Sequence, residues 1–397
     1  MNLRILLLVD DYLPSPKSAP KLVHDLGVQF VREGHEVAVV TPGDSDSNPV
    51  DVSVEDGIRI VRVKSGNLKN VNWVMRGWRE SRLSAILWRR ARSFFEANPF
   101  DLIVTYSPSI FFAALVRRLK ELWRCPSYLV LRDVFPKWAV DAGVLRKGLR
   151  YRYFRHVELM QYAAADVIGV ETPANLRYFA EELPDKAYRL EVLLNWTEIK
   201  DRPARTSSYR SQLGLTDKVV FFYGGNIGIA QDMDNILRLA GSLREHRGIS
   251  FLLVGNGSQS LRLRDEITKR GLANIEILPP VSQDDYPSLL SEFDVGLVSL
   301  DRRLQTSSHP GKLLGYMTCE MPILASINPG NDLSSLLQDA DAGIACENGD
   351  DQGLLEAALH LAGDGELRKH MGKNARSLLE SRFSARAAAA QILAHFR

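Results

Sequence analysis

The sequence predicts two doubly wound α/β domains, each a largely parallel sheet covered by helices, set facing one another across a cleft. Short, nearly unbroken apolar runs alternate with longer stretches of helical periodicity, the signature of strands buried on both faces. The alternation stops at a polar, Ser/Arg-rich stretch, TEIKDRPARTSSYRSQLGL (197–215), and then restarts. A length of 397 residues suits two domains of ordinary size.

The elements follow in order. RILLLVD (4–10), HEVAVVT (35–41), IRIVRVK (58–64), DLIVTY (101–106), PSYLVLR (126–132), DVIGVET (166–172) and RLEVLLN (189–195) read as strands. LVHDLGVQFVREG and RLSAILWRRARSFFEAN, lying between strands, read as helices. After the linker come KVVFFYGG (218–225), ISFLLVG (249–255), NIEILPP (274–280), DVGLVSL (294–300) and MPILASI (321–327). The Ala-rich tail RSLLESRFSARAAAAQILAHFR (376–397) reads as closing helix. The domains are therefore expected at 1–200 and 201–378, with a closing helix over 379–397. No short repeat or low-complexity tract is present.

Composition excludes several classes. Apolar residues make up 45% and charged residues 25%, as in ordinary globular proteins. No apolar run approaches the ~20 residues of a membrane span. MNLRILLLVDD has one Arg, a five-residue apolar run and no A-x-A-like cleavage site, so it reads as a first strand rather than a signal peptide. Cys125, Cys319 and Cys346 are far apart and form no metal or disulfide pattern, which points to a reducing cytoplasm. The net charge of +2 is uneven: from Arg62 to Arg155, twenty Lys and Arg stand against six Asp and Glu. Trp73, Trp78, Trp88, Phe94 and Phe95 are interleaved there. Such a stretch suits an anionic surface, lipid ahead of nucleic acid. A solvated face with its aromatics turned into the core accounts for it equally.

In doubly wound sheets, ligands sit at the carboxyl ends of strands near the switch in strand order. Three loops of the second domain fall there. YGGNIGIAQDMDN (223–235) and LLVGNGSQ (252–259) place glycines where backbone can approach a ligand, ahead of helix N-termini. SHPGKLL (308–314) adds a lysine at a helix start. Neither glycine loop is a G-x-G-x-x-G fingerprint, and no Walker lysine is present. Each alone reads equally as a tight turn. Together they point to a sugar- or nucleotide-phosphate site built from Gly225, Asn226, Gln231, Gly255, Asn256, Gly257, Gly311 and Lys312, with no metal or cofactor called for. In the first domain, LRDVFPKW (131–138) puts Arg132 and Asp133 just after a strand, either as a loop-holding ion pair or as a carboxylate near a reacting carbon. TYSPSIF (105–111) puts Tyr106, Ser107 and Ser109 at another strand end. His24, amid Leu22, Val23, Leu26 and Val28, reads as packed, and His35 as structural.

EGHEVAVVTP, RDVFP, LLNW, GGNIGIAQDMDNIL and PGKLLGYM together resemble GT-B-fold bacterial glycosyltransferases of family four, within them the O-antigen and colanic-acid group that includes L-fucosamine transferases. The resemblance spans nearly the whole chain, and GNIGIAQ and the Pro-x-Lys-Leu-Leu helix are its more specific signals. It implies retaining transfer of a sugar from a nucleotide sugar, UDP-linked by family likeness, bound by the second domain. The acceptor on the first domain would be a polyprenyl-diphosphate-linked saccharide, at the inner face of the bacterial inner membrane. Lys312 would then meet the diphosphate and Asp133 orient the acceptor hydroxyl or the sugar, with Arg132, Tyr106 and Ser107 on the acceptor side. The chain departs from the family pattern. The usual Glu-x7-Glu falls at Ser307 and Gly315, the usual lysine of the first donor loop near Gln231, and Pro-Ser-Lys reads Pro310-Gly311-Lys312. The Gly-Gly loop near the N-terminus reads PSPKSAP. Lys312 is left to carry most of the diphosphate charge. Two other readings stand beside transfer: a sugar-nucleotide epimerase of the same two-domain fold, and a non-catalytic partner that binds sugar nucleotide or lipid.

Overall fold

A computed structural model describes residues 2–396 apart from 16, 44–47, 66–80, 108, 142, 206–207, 283–284, 305–306 and 308. The chain divides into two compact units, Met1–Glu198 with Ala385–Arg397, and Ile199–Ser384.

The first unit is built on an eight-stranded sheet. Its strands are β1 (Arg4–Leu8), β2 (Glu36–Gly43), β3 (Val50–Glu55), β4 (Ile58–Lys64), β5 (Leu102–Tyr106), β6 (Ser127–Leu131), β7 (Val167–Val170) and β8 (Leu190–Val192). They lie in the order β3-β4-β2-β1-β5-β6-β7-β8. All neighbours are parallel except β3 and β4. The central strands are completely buried, as their apolar runs require.

The second unit has six parallel strands: β9 (Val219–Gly224), β10 (Ile249–Val254), β11 (Ile275–Leu278), β12 (Val295–Ser299), β13 (Ile323–Ile327) and β14 (Gly343–Glu347). Their order is β11-β10-β9-β12-β13-β14. Strand order reverses between β9 and β12, so the switch point lies at the β9 loop. Phe221 and Phe251, paired in register, stack with centroids 5.4 Å apart inside this unit's core.

The expected fold class stands, with differences in detail. Strand β3 is absent from the sequence reading because VDVSVE lies at the sheet edge, with residues 51–55 all exposed, and forms no apolar run. The stronger signal was the turn: Asp56 and Gly57 have φ of 49° and 79°, the pattern of a two-residue type I′ hairpin. Strand β14, GIACE, is another half-exposed edge. At the C-terminal end, the helix Gly365–Arg382 belongs to the second unit, whereas Ala385–Ala394 returns to the first. There Ala385 N–H donates to Thr197 O (2.9 Å), and Gln391 Nε2 to Val192 O (2.8 Å). The closing helix thus begins at Ala385, after a break at residues 383–384, rather than at residue 379.

Of the five aromatics singled out in the basic stretch, the three that are described, Trp88, Phe94 and Phe95, turn inward. Phe95 is fully buried, and Trp88 and Phe94 pack on the same core with Phe100 and Trp123. Trp88 stacks on Phe95, and Trp123 Nε1 donates to Phe95 O (3.1 Å). Trp73 and Trp78 lie outside the described residues.

Candidate functional site

The loops after β9 and β10 are laced together through their backbones. Gly225 N–H donates to Val254 O (2.9 Å), Ile227 N–H to Asn256 O (3.0 Å) and Gln259 N–H to Ile227 O (3.0 Å). Glycine is required at the crossings. A Cβ on Gly255 would lie 1.8 Å from Gly225 O, and one on Gly257 would lie 2.3 Å from Ile227 O. Gly225 itself has φ +120°, a conformation that L side chains rarely adopt. These glycines therefore serve first to let two backbones touch, which brings the free faces of both loops to one place.

Tyrosines, which the sequence reading did not single out, fix this arrangement from below. Tyr223 donates its hydroxyl to Asn226 O (2.6 Å). The Tyr316 hydroxyl accepts from Gly224 N–H (3.1 Å) and donates to Leu297 O (3.1 Å). Burial raises the pKa of both phenols, so they remain protonated donors. The available signal was a tyrosine directly before Gly-Gly at 223.

Lys312 reaches the same place. Its ammonium lies over the Tyr223 ring, 3.9 Å from the centroid, and its Cε is 3.8 Å from where a Gly225 Cβ would be. The residue is half-buried, and desolvation of the ammonium pushes its pKa down to about 7. Among the described residues no carboxylate lies within ion-pair distance of it. The helix it begins, Lys312–Thr318, is seven residues long, and Gly311 supplies no side-chain cap. The charge of Lys312, rather than a helix dipole, is the main attraction for an anion here.

Gln231 is turned inward. Its Oε1 accepts from Asn226 Nδ2 and from Gly228 N–H, each at 3.1 Å, so Gln231 and Asn226 brace the loop. Asn256 is exposed, with its Oδ1 accepting from Gly257 N–H (2.8 Å). At the two positions that depart from Glu-x7-Glu, Ser307 bonds to Asn331 Oδ1 (3.2 Å) and accepts from Asp332 N–H (3.2 Å). A Cβ on Gly315 would face Leu290 and Tyr286.

In the first unit, the expected side chains gather at the ends of β5 and β6 but divide into framework and surface. Arg132 donates to Leu193 O (2.6 Å) and Leu194 O (3.2 Å) and lies 5.1 Å from the Trp196 ring centroid. It makes no ion pair with Asp133 among the described residues, so the Arg–Asp pair expected as one alternative is absent. Two carbonyls and an indole engage the guanidinium, while its buried Nε has no hydrogen-bond partner among the described residues. Asp133 is exposed. Tyr106 and Ser107 are buried, and Tyr106 meets Trp196 edge-on at 6.5 Å. Trp196 is fully buried and donates Nε1–H to Leu22 O (2.7 Å). Its loss would cost about 3–5 kcal/mol. A buried Glu171, which accepts from Asn195 Nδ2 (2.5 Å), completes this polar layer and was not singled out from the sequence. His24 is more than packed: Nδ1 is 2.9 Å from the Tyr12 hydroxyl, and Nε2 is 3.1 Å from Asp56 Oδ2. Among the described residues, no group of three His, Cys, Asp or Glu is placed to hold a metal, and no helix is long and apolar enough to cross a membrane.

Comparison with known proteins agrees with this construction. Residues 20–196 match the model of a glycosyl transferase 4-like domain, and residues 206–378 match glycosyl transferases group 1. WcaI of Escherichia coli strain K12, named as a glycosyl transferase of colanic acid biosynthesis, is 29% identical over 230 residues, covering 55% of each chain. The chain thus spans about half the length of the curated relatives it matches. Sucrose-phosphate synthase of Thermosynechococcus elongatus superposes with a TM-score of 0.80 at 17% identity, over 100% of this chain and 98% of that one. HepE of Anabaena, solved in complex with UDP-glucose, superposes with a TM-score of 0.72 at 16% identity, over 99% of both chains. The two family matches follow one another across most of the sequence, one on each unit, and the chain belongs to the GT-B-fold glycosyltransferases of family four.

Proposed function

We propose that the chain transfers a sugar, with retention at its anomeric carbon, from a nucleotide sugar to a lipid-linked saccharide in the making of a bacterial surface polysaccharide. One observation carries the donor side: a desolvated ammonium, Lys312, set on Tyr223 beside the Gly225 loop, with no carboxylate in ion-pair range among the described residues. A diphosphate would supply the missing negative charge. In the reaction, the bond between the anomeric carbon and the diphosphate oxygen breaks, and its electron pair leaves with the nucleoside diphosphate. The acceptor hydroxyl bonds to the same face and its proton passes to the departing diphosphate oxygen. Lys312 and the backbone N–H groups of the glycine loops stabilise the departing diphosphate. Gly225, Asn226, Gln231, Gly255, Asn256, Gly257 and Gly311 shape that site, Gln231 and Asn226 by bracing it. Asp133, exposed after β6, orients the acceptor hydroxyl or the sugar. Arg132, Tyr106 and Ser107 form the floor behind it rather than direct contacts.

UDP is the nucleotide favoured, because a solved neighbour of the same fold holds UDP-glucose. The acceptor we propose is a polyprenyl-diphosphate saccharide, in keeping with a relative named for colanic acid biosynthesis, and such an acceptor would be met at the cytoplasmic face of an anionic membrane. Ser307 and Gly315, standing where the family carries carboxylates, favour a second reading: a partner that binds sugar nucleotide without transferring it. Incubation with a panel of labelled nucleotide sugars and a membrane lipid fraction decides between them. Label moving to lipid is the expected result. Binding without turnover supports the second reading, and an isomerised free nucleotide sugar would show an epimerase instead.

A further inference from the structure

Among its described residues, the basic stretch contains one cluster of large apolar side chains that face outward. Four exposed residues fall between 138 and 153: Leu149 at 84% of its full exposure, Val144 at 68%, Tyr153 at 46% and Trp138 at 37%. Arg146, Lys147, Arg150 and Arg152, all exposed, are set among them. No Asp or Glu occurs between Asp141 and Glu158, and Glu158 is buried against Arg155 (2.6 Å) and Tyr162 (2.7 Å). The helix Leu149–Tyr162 is thus two-faced: Leu149, Tyr153 and His156 lie one turn apart on the exposed stripe, while Phe154, Val157 and Met160 pack into the core. Phe135 anchors the patch from beneath, with ring centroids 6.1 Å from Trp138 and 5.1 Å from Phe154. Elsewhere among the described residues, exposed large apolar residues stand singly, except for Val52 and Val54 on the acidic hairpin strand β3.

We infer that this tip, Trp138, Val144, Leu149 and Tyr153 with their surrounding cations, is the surface by which the first unit docks on an anionic phospholipid bilayer. It rests on the reading of the protein as a transferase for a lipid-linked acceptor, and it moves the contact away from the helix Leu83–Ala97, whose aromatics are committed to the core. The chemistry fits one occupant. Exposed aliphatic and aromatic side chains enter the acyl boundary while Arg and Lys meet phosphate, a combination that binds lipid reversibly and weakens with salt.

Co-sedimentation tests it, using vesicles of equal parts phosphatidylglycerol and phosphatidylethanolamine against vesicles of phosphatidylcholine. The full chain should sediment with the first at low salt and only weakly with the second. Val144→Asp with Leu149→Asp should lower the partition at least tenfold, and Arg146→Glu with Lys147→Glu should do the same and flatten the salt dependence. Arg89→Glu with Arg247→Glu, an equal charge change at exposed sites elsewhere, should leave partition within about twofold. All the side chains altered in the tip are exposed, and unchanged melting confirms that the variants fold. Tip variants that sediment like the parent protein would overturn the assignment, as would sedimentation only with vesicles that carry membrane proteins. Calorimetry with UDP, GDP and ADP on the same preparations separates the two readings. Intact sedimentation without binding of UDP, GDP or ADP sinks the transferase reading alone, whereas nucleotide binding without sedimentation sinks this one alone.

Discussion

Two units of the same fold class treat the ends of their strands in opposite ways. In the second unit the loops are joined by backbone, with glycine at each crossing, and the one lysine that reaches them has no carboxylate beside it among the described residues. In the first unit most polar groups are answered within the protein: Arg132 donates to two carbonyls, Asn195 to Glu171, and Trp196 to Leu22 O, while Arg132 Nε and Ser107 Oγ are buried without a hydrogen-bond partner among the described residues. A charge left without its opposite in a partly desolvated place is a site prepared for a ligand, because burial without compensation costs stability unless something binds. A charge already answered is framework. Asp133 is the exception in the first unit, exposed at a strand end while its neighbour Arg132 is engaged elsewhere.

The harshest test of the backbone half of this contrast is Gly255→Ala. The added methyl would meet Gly225 O at 1.8 Å, a backbone atom that cannot yield without unlacing both loops. UDP affinity should fall at least a hundredfold by calorimetry, with a lower melting temperature. Gly363→Ala, where nothing lies within 4 Å, should change neither. Equal behaviour of the two variants would mean that the lacing does not shape the site.

Asp133→Asn probes the exception. A carboxylate that handles the acceptor's proton or orientation contributes about a hundredfold or more to turnover. The variant should lose that in kcat while UDP affinity stays within about twofold and melting is unchanged, since there is no pair with Arg132 to break. Arg132→Met should do the reverse at the level of the fold, lowering the melting temperature by freeing the carbonyls of Leu193 and Leu194. A stable Asp133→Asn protein with full activity removes Asp133 from the site.

Lys312→Ala tests the unneutralised charge. A hydrogen bond to a charged group is worth about 1.5–3 kcal/mol, or roughly ten- to hundredfold in donor affinity. Removing a half-buried cation with no partner should not lower the melting temperature, in contrast to Arg132→Met. Donor affinity within twofold of the parent would show that the glycine loops hold the diphosphate unaided.

How much of this was legible follows from which interactions are local. Strands buried on both faces announce themselves as apolar runs, so the sheets were readable, whereas β3 and β14, edge strands with polar or mixed sequences, were not. Glycine and lysine at strand ends were readable as a site because few other residue types suit close backbone approach or anion contact. That Gly255 exists to clear Gly225 O, that Tyr223 lies beneath Lys312 and that Gln231 turns inward depend on pairs remote in sequence or on a side chain's rotation, neither of which spacing encodes. The aromatics of 88–95 left two readings open for the same reason: periodicity gave a helix but not which face met the core, and the structure turns them into it.

The smallest effect is also the most specific to the lone cation. With its ammonium at about 7 in the empty site, against the ordinary lysine value near 10.5, Lys312 is charged below neutrality and mostly neutral above it. A bound diphosphate favours the charged form and raises that value, so binding above pH 7 must take up a proton. UDP affinity should therefore fall as pH rises from 7 to 9, by up to about tenfold per unit, until the pKa of the complex is reached. Stability runs the other way. Between about 7 and 10.5 the unfolded chain holds a proton that the folded chain lacks, so the unliganded protein gains stability from this group as pH rises. Calorimetry in two buffers of different ionisation enthalpy should report proton uptake on UDP binding at pH 8, and Lys312→Met should abolish it. Binding that takes up no proton at pH 8 in the parent protein would mean that Lys312 does not meet the diphosphate, and the contrast between the two units would then rest on the glycine loops alone.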